Sequence, residues 1–280
     1  MTQMKMNKKN RINDLLKWFA GKLLPIAIFI PIAKVIYPLF NSTRRWPNIE
    51  VKMLESHLFS IKTQNEPVFY FYEFTRIERY LFPNPIKKIM NVMLDKYSFE
   101  MAEIVVQKGD TIVEVGANIG EFSRAAASLG TMLVCIEPDP IAYKCLELNL
   151  MGFTNIYLYN VVCAENCGNI DFYISSSGAD SSIIEPVAFE KIVTKECLTL
   201  DTIITERKIH KIDFLKIEAE GAEPEVLLGA RNSLNITRKI AVDCGPERKG
   251  ASTRDAVYGC LIANGFDVYE KENMVYGKKK

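Results

Sequence analysis

The chain has 280 residues, 48% of them hydrophobic and 25% charged, with a formal net charge of +1. These proportions exclude a disordered chain and supply a buried core, while the near-neutral charge gives no global field for nucleic acid, so no nucleic-acid partner is expected. Seven cysteines, an odd number with several inside apolar runs, exclude a disulfide scaffold and point to a reducing, cytoplasmic compartment.

The first 45 residues form a basic and apolar segment. Within it, residues 23–40 read LLPIAIFIPIAKVIYPLF, flanked by Lys17, Lys22, Arg44 and Arg45. Lys34 and the prolines Pro25, Pro31 and Pro38 argue against a straight transmembrane helix. Packing on the catalytic domain is the first reading. Peripheral membrane contact through 23–40, which the basic flanks favour, is the second, and a kinked span the third. Residues 46–97 are read as an N-terminal cap or extension, helical and rich in aromatics, with VFYFYEF at 68–74 strand-like in composition.

From residue 98 to 280 the texture changes to short apolar runs alternating with helical patterns. TIVEV, a helix over 121–129, MLVCIE and a helix over 141–151 come first. NIYLYNVV, NIDFYIS, DFLKIE, a helix near Glu223, KIAVDC and a helix over 254–264 follow. This alternation predicts an α/β fold with a mostly parallel sheet covered on both faces. FDVYE and MVYG lie too close together for a crossover and should pair antiparallel. A parallel sheet ending in such a hairpin distinguishes the methyltransferase version of the Rossmann-like fold from the dinucleotide-binding one.

Chemistry concentrates in VEVGANIGEFS. The strand runs into Gly116, and a helix begins near Ile119, so Gly116, Ala117, Asn118 and Gly120 form a strand-to-helix turn where the backbone can approach a ligand. The spacing lacks the last glycine of the dinucleotide fingerprint. Glu114 beside the turn would repel a diphosphate but could orient the ammonium of a bound amino acid, directly or through water. Glu137, at the end of the second strand, is placed to accept from both ribose hydroxyls, and Asp139 to cap the next helix. Asn160 and Val161, after the third strand, are expected at the adenine edge.

In DFLKIEAEGAEPEVLLGA, Lys216, Glu218 and Glu220 alternate and would point the same way from an extended strand. Glu223 falls in the first turn of the next helix, where its charge complements the dipole. VEVGANIGEFS, the IEPDP turn, Asn149, TLD at Thr199–Asp201 and FLKIEAEGAEPEVLLGA together resemble the FkbM family of methyltransferases. Glu114 and Glu218 stand where that family usually has aspartate. The resemblance implies a class I methyltransferase fold, S-adenosyl-L-methionine as methyl donor, and often O-methylation of a hydroxyl on a sugar, glycolipid or small natural product, so that the partner is a small-molecule or glycan hydroxyl acceptor.

Glu218 and Glu220 are the candidates for proton transfer or substrate orientation, with Lys216 holding one of them ionised. His210 precedes the strand and reads as loop-borne. Cys163 and Cys167 lack a second pair at zinc spacing, and no metal is assigned, although clustered acids could hold Mg²⁺. The competing readings are an NAD(P)-dependent oxidoreductase and a non-catalytic nucleoside-binding module.

Overall fold

The computed structural model describes residues 49–55, 58–72, 85–175, 180–186 and 188–280. The apolar segment 23–40 lies outside them. Two compact units are present, Met1–Ile89 and Met90–Lys280. Among the described residues no helix is long and apolar enough to cross a membrane.

In the first unit, β1 (Ile49–Glu55), β2 (Leu58–Thr63) and β3 (Phe69–Phe71) form an antiparallel sheet in the order β1-β2-β3. The strand expected from VFYFYEF is β3. Its Phe71 ring stacks on Phe59 at 5.5 Å, a cross-strand aromatic pair of the kind that holds small sheets together. Helix α1 (Pro85–Lys96) begins in the first unit and ends in the second, and it opens with the Glu66 carboxylate accepting from the Ile86 and Lys87 N–H groups, which would otherwise lack acceptors.

The second unit is built on a seven-stranded sheet of β4 (Thr111–Val115), β5 (Met132–Ile136), β6 (Ile156–Tyr159), β10 (Ile212–Ile217), β11 (Thr237–Asp243), β12 (Phe266–Lys271) and β13 (Met274–Lys279). The spatial order is β12-β13-β11-β10-β4-β5-β6. The pairs β6–β5, β5–β4, β4–β10 and β10–β11 are parallel; β13 runs antiparallel to both β11 and β12. The sheet is therefore mostly parallel with a C-terminal antiparallel hairpin, the class I methyltransferase arrangement. After β4 the chain first builds outward through β5 and β6, then returns to lay β10 on the other side of β4. That reversal makes the carboxyl ends of β4 and β10 the switch point where open α/β sheets bind ligands.

Strand alternation sorts the core into two faces. Val113, Val115, Leu215, Ile217, Ile240 and Val242 enter one buried cluster with Ile203, Val226 and Leu261. Ile112, Leu133, Cys135, Phe214 and Ala241 enter the other, with Phe122, Leu146 and Tyr97. Glu114 and Lys216 continue the second face by the period of two, and they are direct cross-strand partners in the β4–β10 register.

Two expectations change. NIYLYNVV is not one strand. β6 stops at Tyr159, the Asn160 carboxamide turns back to donate to the Glu137 and Pro138 carbonyls, and β7 (Val162–Cys163) joins a separate sheet with β8 (Gly168–Ser175) and β9 (Phe189–Leu198), in the order β7-β9-β8. Nor does the extended strand of KIEAE reach Glu220. β10 ends at Ile217, and Glu220 and Gly221 adopt φ of 49° and 91°, turning the chain toward α5 (Glu223–Leu228).

Candidate functional site

At the carboxyl end of β4, Gly116 sits at φ 75°, and a Cβ there would overlap the Glu218 carbonyl oxygen of the neighbouring strand end. Only glycine permits this approach. Asn118 (φ 49°) and Gly120 (φ 87°) complete the turn before α2 (Glu121–Ala127). Asn149, buried on α3 (Pro140–Leu150), fixes the turn from behind by donating to the Ile119 carbonyl at 2.8 Å. Ala117 is buried in the core beside it.

Beneath the turn lies a chain of charges. The Lys216 ammonium, 2% exposed as a residue, has three oxygens around it: the Gly116 carbonyl at 2.5 Å, Glu114 Oε1 at 3.2 Å and Glu218 Oε2 at 3.2 Å. One hydrogen bond to a carbonyl and two ion pairs compensate an ion that would otherwise not tolerate the interior. Burial works against the charged lysine, but Glu114 and then Glu218 outweigh it and raise its pKa. Glu114 has no exposed surface, and its Oε2 accepts from the Ser123 hydroxyl at 2.5 Å. Burial raises its pKa against the opposing pull of Lys216 and Ser123. Glu114 Oε2 is thus taken by Ser123, while its buried Oε1 lies 3.2 Å from the Lys216 ammonium and makes no hydrogen bond among the described residues.

Glu218 is grasped from two sides, its other oxygen lying 2.6 Å from the ammonium of Lys96, which also reaches Asp243 Oδ2 at 2.8 Å. Burial alone would raise the Glu218 carboxyl; Lys216 and Lys96 reverse this and hold it far below the ordinary carboxylate range. Glu220 is the opposite case. Half-buried and, among the described residues, unpaired with any cation, it is pushed up to about 9, first by burial and then by Glu218, Asp180 and Glu247. Lys216, Glu218 and Glu220 therefore do not form one row: the first two pair, and the third sits apart beyond the strand end.

Glu137 closes β5. Its oxygens accept from the backbone N–H of Asn118 at 2.7 Å and of Asp139 at 2.8 Å, which ties it to the glycine turn. Burial, followed by the neighbouring Asp139, pushes its pKa up to about 7. Asp139 caps α3 through the Ile141 and Ala142 N–H groups, with Pro140 in the first turn. Asn160 is held by Lys195 of β9, whose ammonium donates to its Oδ1 at 2.7 Å, and Val161 is buried next to it.

The β10–α5 loop is stapled from below. Glu223 accepts from the Ala219 and Gly221 N–H groups, each at 3.0 Å, and from the Thr253 hydroxyl at 2.8 Å. Its place in the helix's first turn is thus accompanied by a specific structural duty. From above, the Ser182 hydroxyl donates to the Glu220 carbonyl at 2.8 Å, and Ser181 to Asp139 at 3.2 Å. The TLD motif is also structural: Thr199 caps α4 (Leu200–Glu206), while Asp201 accepts from the N–H groups of Asn232 and Ser233 at the start of α6 (Arg231–Asn235). His210 lies exposed at the amino end of β10, away from the turn. Among the described residues no group of three or more His, Cys, Asp or Glu side chains is arranged to hold a metal ion.

Lys96, Tyr97, Ser123, Asp243, Ser181, Ser182 and Lys195 were not singled out by the sequence. Asp243 alone had a signal: it follows Ala241 by two on β11 and so shares the face of Lys216.

Residues 114–247 match the Methyltransferase FkbM domain family. The chain is 28% identical over 160 residues to the 2-O-methyltransferase NoeI of Sinorhizobium fredii, covering 50% of this chain and 65% of that protein. It is 27% identical over 208 residues to the AMB antimetabolite synthetase AmbE of Pseudomonas aeruginosa, covering 59% of this chain and 10% of that protein. A crystal structure of Methyltransferase FkbM from Methylobacillus flagellatus KT aligns with a TM-score of 0.48 and 17% identity over 66% of this chain and 47% of the other. The chain thus spans less than two thirds of the length of each. The match begins at Glu114 and runs through the β10–α5 loop, so the glycine turn, Glu137, Lys216 and Glu218 all fall inside the region similar to the Methyltransferase FkbM domain.

Proposed function

We propose that this chain transfers a methyl group from S-adenosyl-L-methionine to a hydroxyl of a sugar, glycolipid or small natural product. The observation that carries the proposal is the Gly116–Gly120 turn, set between Glu114 and Glu137 at the switch point of the sheet. Its residues fit an adenosyl group. Among the described residues the buried Asn118 Oδ1 has no hydrogen-bond partner, and Glu137 keeps lone pairs beyond the two that its backbone donors use. When bound, the cofactor supplies a methyl group activated by a positively charged sulfur.

In this reading Gly116, Ala117, Asn118 and Gly120 hold the cofactor through their backbone, Glu137 accepts from the ribose hydroxyls, and Asn160 and Val161 border the adenine. Lys216 acts on the Gly116 carbonyl and Glu114 acts on Lys216, so both position the turn. Glu218, held ionised, accepts a hydrogen bond from the acceptor hydroxyl and orients its oxygen toward the methyl group, since alignment supplies much of the catalysis in such a displacement. Glu220 is the proton acceptor once a cationic ligand or rising pH has ionised it. The name of the Sinorhizobium relative, a 2-O-methyltransferase, supports oxygen as the methylated atom. Seven free thiols support a cytoplasmic location, with residues 23–40 as the candidate for peripheral membrane contact.

Thermal melts with S-adenosylhomocysteine and with NAD test the cofactor: the first should raise Tm and the second should not. Incubating the protein and radiolabelled methyl donor with host glycan and lipid extracts tests the acceptor class. Label arriving on nitrogen, or none transferred to any hydroxylated fraction, would overturn the assignment. Cell fractionation with and without the first 40 residues tests the membrane contact.

A further inference from the structure

Glu218 directly follows the last residue of β10 at the switch point, and its charge is balanced by two ammoniums from different places in the chain. Lys216 belongs to the matched domain and is sealed in the core. Lys96 comes from the last turn of α1, outside residues 114–247, and its side chain stays one-third exposed. It bridges Glu218 at the end of β10 to Asp243 at the end of β11. Its position is set twice over. The Tyr276 hydroxyl of β13 donates to the Lys96 carbonyl at 2.7 Å, and the Tyr97 ring lies 4.9 Å from the Lys96 ammonium and 5.0 Å from that of Lys216. One buried aromatic face thus lies near both cations that grip Glu218.

We propose that Lys96 is a positioning residue for methyl transfer, clamping Glu218 against Asp243 so that its carboxylate stays ionised and aimed at the acceptor hydroxyl. The inference rests on the proposed function of this site. An ammonium has three donors, enough for Lys96 to serve both acids at once, Glu218 at 2.6 Å and Asp243 at 2.8 Å. It is not itself a base: burial works to lower its pKa, but Glu218 and Asp243 prevail and raise it. The groups that act on Glu218 are Lys216 on β10, Glu114 on β4, Asp243 on β11, Lys96 and Tyr97 at the end of α1, and Glu220 and Glu247 in the following loops. Four of these seven, Glu114, Asp243, Glu220 and Glu247, are carboxyls, and Lys216 and Lys96 supply the positive charge that opposes them, with the neutral Tyr97 hydroxyl acting in the same direction as the lysines.

The full chain with carboxyl-labelled glutamate, followed by ¹³C NMR across pH, tests the clamp. Wild-type Glu218 should not titrate within the range where the fold persists. Lys96→Met should raise its midpoint by about one unit or more, whereas Lys96→Arg should restore most of the wild-type behaviour. Calorimetry with S-adenosylhomocysteine serves as the control: unchanged affinity in Lys96→Met shows the cofactor site intact, separating failure of the clamp from failure of the cofactor reading. With an accepted hydroxyl substrate, kcat should fall in Lys96→Met while the KM for the methyl donor holds. A Glu218 resonance that moves no more in Lys96→Met than in a remote surface lysine variant overturns the proposal. If Lys96→Met does not fold, the Arg variant decides: an unfolded or wild-type-inactive Arg protein overturns it too, since a second cation of similar reach should serve.

Discussion

Two carboxyls at the site hold protons far above the ordinary carboxylate value of 4.5, and each makes a prediction with a definite sign. Glu137, pushed up to about 7, is largely protonated at pH 6 and ionised at pH 8. As the ionised form is the bidentate acceptor for a ribose diol, S-adenosylhomocysteine should bind more weakly as pH falls below 7, by up to about tenfold per unit. In Glu137→Gln this dependence should vanish and affinity stay low at every pH; calorimetry from pH 5.5 to 8.5 checks both. Glu220, pushed up to about 9, binds a proton in the folded chain that the unfolded chain releases near 4.5. Its contribution to stability is therefore full below 4.5 and is lost progressively as pH rises toward 9. Glu220→Gln should raise Tm relative to wild type at pH 8.5 and change it little at pH 4.5, while removing any rate increase with an inflection near 9.

At the scale of elements, the site depends on loops held by side chains rather than by sheet hydrogen bonds. Glu223 is the clearest example, since one carboxylate satisfies two backbone N–H groups of the β10–α5 loop and a hydroxyl of the segment before α7 (Arg254–Ala263). Glu223→Ala leaves those buried donors without acceptors and should cost about 2–4 kcal/mol in denaturant unfolding. Glu223→Gln retains an acceptor oxygen and should cost less.

The mostly parallel sheet with its terminal hairpin, the glycine turn and the Asp139 cap were legible because each has a local signal: alternating strands and helices, a glycine after a strand, an acid before a proline-led helix. Lys96 was not legible. It meets Glu218 across 122 positions, and no local pattern distinguishes it from any lysine ending an amphipathic helix. The bond from Lys195 to Asn160, 35 positions away, was hidden for the same reason. The alternation of Lys216, Glu218 and Glu220 misled where it was carried past Ile217, because positive φ at Glu220 and Gly221 ends the strand period before the third acid.

For the whole molecule, the order in which the sheet is assembled matters as much as its final shape. β13 is the wedge between β11 and β12, pairing with both along its length. A ribosome that has made everything through Asn273 has produced β11 with a bare flank and β12 with no neighbour, while Tyr276, which secures the Lys96 carbonyl, does not yet exist. Stalled or truncated translation products ending there should be sticky rather than merely inactive, since an unpaired apolar flank invites other chains. Synthesis halted before Met274 should therefore yield aggregate, whereas a chain carried through Lys279 should be soluble, and centrifugation of matched translation products would show the difference.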